Sequence, residues 1–174
     1  MRLGRRQWRV LLMSRSVRTG AVLILAWGLM HIVAGFQIGL RAWLGPAGFF
    51  DSLGVPSADL SAAPRLTAVT RGISAIWSGA LVGLGVLALV LGAGPYRRGE
   101  RWAWWTLLFG LGPADAGAAI FWHAACPPAP MPMMLAIGIG LFLAGMLIPA
   151  PAILGGDDPR LGRVTIRPAQ GGPS

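Results

Sequence analysis

Long apolar runs, separated by short polar interruptions, dominate this chain. A helix that crosses a bilayer needs about 20 mostly apolar residues. Four stretches meet that requirement: 20–43, 68–91, 102–125 and 131–154. Thr19 to Leu40 has no formal charge, the second stretch none after Arg71, and the fourth none at all, while Asp115 interrupts the third. Backbone polar groups in hydrocarbon must be satisfied within their own segment, which favours helices. The pattern therefore predicts an all-α, transmembrane four-helix bundle with short connections.

Between and beyond the runs, the chain is polar or punctuated. Residues 1–19 form a basic tail in which Gln7 to Met13 fits either a short surface helix or plain tail. Pro46, Gly48, Gly54, Pro56 and Pro64 break up the loop 44–67, where Phe49, Phe50 and Leu53 are placed to make one interfacial turn. Residues 155–174 are rich in Gly, Pro, Asp and Arg and read as a flexible tail.

Arginines orient the spans, because cytoplasmic flanks collect basic residues. Six arginines precede the first span, Arg97, Arg98 and Arg101 lie between the second and third, and Arg160, Arg163 and Arg167 follow the fourth. The opposite side has only Arg41, Arg65 and Arg71, beside Asp51 and Asp59, and the connection Pro127 to Pro130 is uncharged. This alternation predicts both termini in the cytoplasm and a multi-pass protein of the plasma (inner) membrane. The basic start resembles a signal peptide, but such an apolar region is only about 7–15 residues long and ends at a cleavage site. A retained helix that also targets the chain is the better expectation. Trp43, Trp102, Trp104, Trp105 and Trp122 fall near the ends of spans and are expected as headgroup-level anchors.

Composition agrees with the pattern. Of 174 residues, 55% are hydrophobic and 12% charged, and the mean hydropathy is +0.63. Soluble domains carry about 25% charged residues, so a soluble fold would lack polar surface. The net charge of +9 invites a nucleic-acid reading. Its placement argues against one, since the arginines flank apolar runs and do not line a single face. Every basic residue is arginine and asparagine is absent, a bias that suggests a GC-rich, bacterial coding sequence. The single Cys126 rules out an internal disulfide and any CxxC framework.

Because lipid is as apolar as leucine, helices associate where small residues let backbones approach. Gly35 and Gly39 in the first span, Gly79 and Gly83 in the second, and Gly140 between Ala136 and Ala144 in the fourth are the expected packing positions, within the chain or against another.

Ionisable residues inside a membrane cost about 2.5–3.5 kcal/mol at the bilayer centre and usually face partners. At 1.5 Å per residue, His31 and Asp115 lie roughly 16 and 20 Å from the inner boundary, nearly level. Arg71 begins roughly 4–5 Å deep from the other side by the same rise, with a long side chain that can turn inward. A polar cluster of His31, Arg71 and Asp115 is therefore expected, extended by Gln37, Ser74 and Ser78. Pro113 should kink the third span beside it by removing a backbone donor and displacing the Phe109 carbonyl. An acid beside a helix break is also how transporter sites are built. An Asp–Arg pair that merely fixes helix register is the plainer alternative, and His123, near the outer end, reads as interfacial.

No metal site or other cofactor is expected. His31 and His123 differ in depth by roughly 15 Å, too far to share one haem iron, and no HExxH or Cys/His cluster occurs. No nucleophile arrangement can be placed, so an enzyme is not the expectation.

The basic start, the loop with Pro46 and Phe49-Phe50, Arg71-Gly72 opening the second span, and the turn into Glu100-Arg101-Trp102-Ala103-Trp104-Trp105 resemble, in layout, small four-span bacterial membrane proteins of the DoxX-like kind. The resemblance spans residues 20–154 and implies no functional residue. The leading expectation is a non-enzymatic membrane component or accessory subunit, with the lipid bilayer and either itself or another membrane protein as partners. A small transporter or proton-linked permeation protein is the alternative.

Overall fold

The computed structural model describes residues 5–45, 64–125 and 133–155. All regular structure among them is helical, in four runs. Helix α1 spans Arg5–Leu44. Helix α2 spans Pro64–Leu91 and continues into a π-helical turn, Gly92–Tyr96. The third run begins with α3, Arg101–Thr106, widens into a second π-helical turn, Leu107–Leu111, and ends as α4, Gly112–Ala125. The fourth is α5, Met133–Leu147, followed after a turn by α6, Ala150–Leu154.

Three helices are long and apolar enough to cross a membrane: Arg15–Leu44, Pro64–Tyr96 and Met133–Leu154. The third run is helical throughout 101–125, but its widest regular piece, α4, has only 14 residues. Helix α1 starts at Arg5 and passes through Gln7 to Met13 without a break, so that stretch is not a separate surface helix. The loop 46–63, the tail beyond Gly155 and the connection 126–132 lie outside the described residues. Helix α2 opens with Pro64, whose missing N–H costs nothing in a first turn.

Packing is concentrated at one end, which we call the corner end because the sharp turn from α2 to α3 lies there. Gly99 turns it with φ +74°, a conformation open to glycine but rarely to other residues. Glu100 precedes α3 and accepts from Arg98 Nε and Trp102 Nε1, each at 2.6 Å. Its charge also suits the positive N-terminus of a helix. Val17, Ala21, Ile24 and Trp27 of α1 pack there with Ala88, Leu91, Tyr96, Ala103, Trp104, Leu107, Met146 and Ile153.

Carbonyls left over in the fourth run become cross-links at this end. The Gly145 carbonyl would ordinarily accept from residue 149, but Pro149 has no N–H. Instead, the Tyr96 hydroxyl donates to it. Trp104 Nε1 donates to the Met146 carbonyl at 3.0 Å, and Arg101 Nε to the Ile153 carbonyl at 3.1 Å. Trp104 is thus a buried core residue and not a headgroup anchor, whereas Trp102 and Trp105 remain exposed.

Helices α1 and α2 run antiparallel along a glycine seam. A Cβ at Gly85 would stand 2.5 Å from the Gly28 carbonyl, and one at Gly35 would stand 2.8 Å from the Ser78 carbonyl. At Gly39 it would meet Ser78 Oγ at 2.6 Å. Ser78 Oγ donates to the Gly35 carbonyl across the seam at 2.7 Å. Gly35 and Gly39 therefore lie at a helix contact as expected from their spacing. Gly79, Gly83 and Gly140 do not: nothing lies within 4 Å of a Cβ at any of them. Within the chain these three therefore make no close helix contact: α2 meets α1 through the face bearing Ser74, Ser78 and Gly85, and Gly140 is exposed on α5. Their spacing marked a small-residue face without marking which face is covered.

Candidate functional site

Three helices meet around one buried carboxylate. Trp27 and His31 are one turn apart on α1, so both side chains project from the same face. Asp115 lies in the first turn of α4. Trp27 Nε1 donates to Asp115 Oδ2 at 2.7 Å, and His31 Nε2 lies 3.1 Å from Asp115 Oδ1. His31 Nδ1 lies 3.0 Å from the carbonyl of Trp27. The indole and imidazole centroids are 4.2 Å apart, and Phe142 of α5 closes the other side of the indole at 5.1 Å. His31 and Asp115 are only 5% and 6% exposed, and Trp27 is fully buried.

The Trp27 carbonyl and the Asp115 carboxylate are acceptors, so each ring nitrogen of His31 faces an acceptor to which it donates when it carries a hydrogen, while Trp27 Nε1 is a donor in every tautomer of the imidazole. The cluster thus keeps its hydrogen-bond donors occupied in a place where an unmet polar group costs about 1–3 kcal/mol.

The sequence around Pro113 delivers Asp115 to this point. Pro113 has no N–H, and the chain before it widens to π-helical geometry, with the Gly112 N–H reaching back five residues to the Leu107 carbonyl. A π-helical turn absorbs such a break without ending the helix. Gly112 permits the approach to α5, since a Cβ there would stand 3.1 Å from the Phe142 ring.

The expected cluster is brought together only in part. His31 and Asp115 meet, but Arg71 lies elsewhere. Gly28 faces Gly85 and Gly35 faces Ser78. Continuing that antiparallel register puts Arg71 opposite Ala42, roughly 16 Å along α1 from His31 at 1.5 Å per residue. Its guanidinium stands over the Trp43 ring, 5.9 Å from the centroid. Gln37 is exposed, Ser74 is buried, and Ser78 belongs to the glycine seam. His123 is exposed near the end of α4.

Trp27 is the member that sequence reasoning missed. A signal was available: it lies mid-span, away from the headgroup levels where tryptophan collects, and one turn from His31. No group of three or more His, Cys, Asp or Glu side chains able to hold a metal occurs among the described residues. Comparison with protein-family models, curated proteins and solved structures finds no match to this chain.

Proposed function

We propose that this chain is a four-span integral membrane protein, with both ends cytoplasmic, that serves as a non-enzymatic membrane component. The Trp27–His31–Asp115 cluster acts in it as a clamp that fixes α4 against α1. The observation that carries this reading is the occupancy of Asp115: each carboxylate oxygen engages a ring nitrogen of α1 inside a buried site. A carboxylate committed in this way supplies registry between helices. The uncovered small residues Gly79, Gly83 and Gly140 leave faces on which a partner helix or a second copy can pack closely. The helical run 101–125 serves as the fourth span, its Asp115 neutralised by the contact with His31. The layout likeness to DoxX-like proteins is consistent with this architecture.

A second reading is favoured by one feature, the π-helical turn and Pro113 immediately before the buried acid. Broken helices beside ionisable groups line proton and ion paths in transporters. Here the proton shared by His31 and Asp115 would be the one that moves.

Asparagine at 115 separates the two. Its oxygen can accept from Trp27 Nε1 while its amide donates to His31 Nε2, so Asp115→Asn preserves the clamp but removes the exchangeable acid. The structural reading expects Asp115→Asn to unfold near the wild-type temperature in detergent, and Asp115→Leu to be less stable by about 1–3 kcal/mol. Proteoliposomes of either wild type or Asp115→Asn then pass no protons. Wild-type flux abolished in a well-folded Asp115→Asn protein would transfer the assignment to the transporter reading. Reporter fusions after residue 155 test the orientation: activity outside the cytoplasm defeats it.

A further inference from the structure

Arg71 carries a charge whose buried nitrogen, Nε, has no hydrogen-bond partner among the described residues. The two acidic residues among the described residues are engaged elsewhere, Asp115 with His31 and Glu100 with Arg98. Arginine cannot shed its proton in a protein, which leaves the charge in place whatever surrounds it. Arg41, near the end of α1, and Arg65, at the start of α2, add two more positive charges at the same end of the bundle. Trp43 supplies a flat aromatic face beneath the guanidinium.

We infer that Arg71 and Trp43 form a binding site for a phosphate group at this end of the α1–α2 pair. The indole lies beside a guanidinium whose buried Nε leaves the two terminal nitrogens as the donors a ligand can reach, and such a planar pair matches phosphate oxygens two at a time. The ring lowers the freedom lost on binding, and the flanking arginines raise the local positive potential. Arg71 lies about 10 Å from the start of α2 by the helical rise, and its side chain is long enough to extend toward the headgroup level where Trp43 sits. The phosphate is carried either by a lipid headgroup or by a soluble compound from the aqueous side.

The test uses the full chain purified in a maltoside detergent. Its unfolding midpoint is followed with added phosphatidylglycerol, with diacylglycerol, which lacks phosphate, and with inorganic phosphate. Phosphatidylglycerol is expected to raise the midpoint by roughly 2–4 °C, diacylglycerol to leave it unchanged, and Arg71→Gln and Trp43→Leu each to remove most of the rise. Inorganic phosphate matching the lipid assigns the site to a soluble phosphate, and lipid acting alone assigns it to a headgroup. An equal rise in wild type and Arg71→Gln overturns the site. So does a loss of midpoint in Asp51→Asn or Asp59→Asn that vanishes in the Arg71→Gln background, because Arg71 would then have a carboxylate of its own chain. If Arg71→Gln does not fold, Arg71→Lys replaces it. Lysine keeps the charge but loses the planar fork, and an undiminished lipid response in that variant counts against the site.

Discussion

At the corner end, Trp27, Tyr96, Trp104 and Leu107 fill the space between four helical runs, and side-chain donors reach across to the Gly145, Met146 and Ile153 carbonyls. Beyond the Trp27–His31–Asp115 cluster, toward the loop 46–63, the buried described residues are Gly35, Ala42 and Ser74, all small. Large apolar side chains there face outward, among them Phe36, Ile73, Ile76 and Ile120, each more than 60% exposed. The first region is held by interlocking bulk and by side-chain bonds to carbonyls of the fourth run, one of which Pro149 leaves without its helical donor. The second is held by backbone approach along one seam. The polar cluster stands at the border between them, where a third helix still reaches α1.

This contrast can be broken most forcefully at its border. Trp27→Ala removes a fully buried ring that packs on His31 and Phe142 and donates to Asp115. It should cost about 3–5 kcal/mol, read as a lowered unfolding midpoint in detergent. A cost below 1 kcal/mol would mean that the cluster does not bind α4 to α1.

Glycine substitutions sharpen the account of the seam. Gly85→Val forces a Cβ to 2.5 Å from the Gly28 carbonyl, which is backbone and cannot swing aside, so a loss of about 1–3 kcal/mol or more is expected. Gly83→Val, two positions away and open on its Cβ side, should stay within about 0.5 kcal/mol in detergent. Equal effects at the two positions would refute the register in which Gly28 faces Gly85.

The smallest difference compares one hydroxyl from each region. Tyr96→Phe leaves the Gly145 carbonyl buried without a donor and should cost about 1–3 kcal/mol. Ser78→Ala gives up a bond to a carbonyl that already serves its own helix, for which about 0.6 kcal/mol is typical between membrane helices. Thermal unfolding of both variants under one condition decides it, and a larger loss for Ser78→Ala would reverse the ranking of the two ends.

Much of the helical organisation was legible from hydrophobic run length alone. The run ending near Trp43 is helical to Leu44, and the run predicted to begin at residue 102 is helical from Arg101. Run length reports the requirement that backbone groups be satisfied where water is scarce, and that requirement is local. The part of the site that sequence reached, His31 level with Asp115, follows from rise per residue, again a property of single helices. Arg71 escaped the same reasoning because depth measured from one end of a helix says nothing about the register between helices.

The sequence by itself determined that the described chain is helical and that His31 and Asp115 share a depth, and of the four spans it predicted, three are helices long and apolar enough to cross a membrane. Only the tertiary structure decided which glycines are seams and which are bare, that Trp27 and not Arg71 completes the carboxylate's shell, and that Trp104 is core. The reason is physical. Helix formation and length depend on each residue's neighbours along the chain, whereas the covered face of a helix in apolar surroundings is chosen by shape and hydrogen bonding across several helices. An apolar side chain there carries little hydropathy signal about whether it will meet lipid or protein.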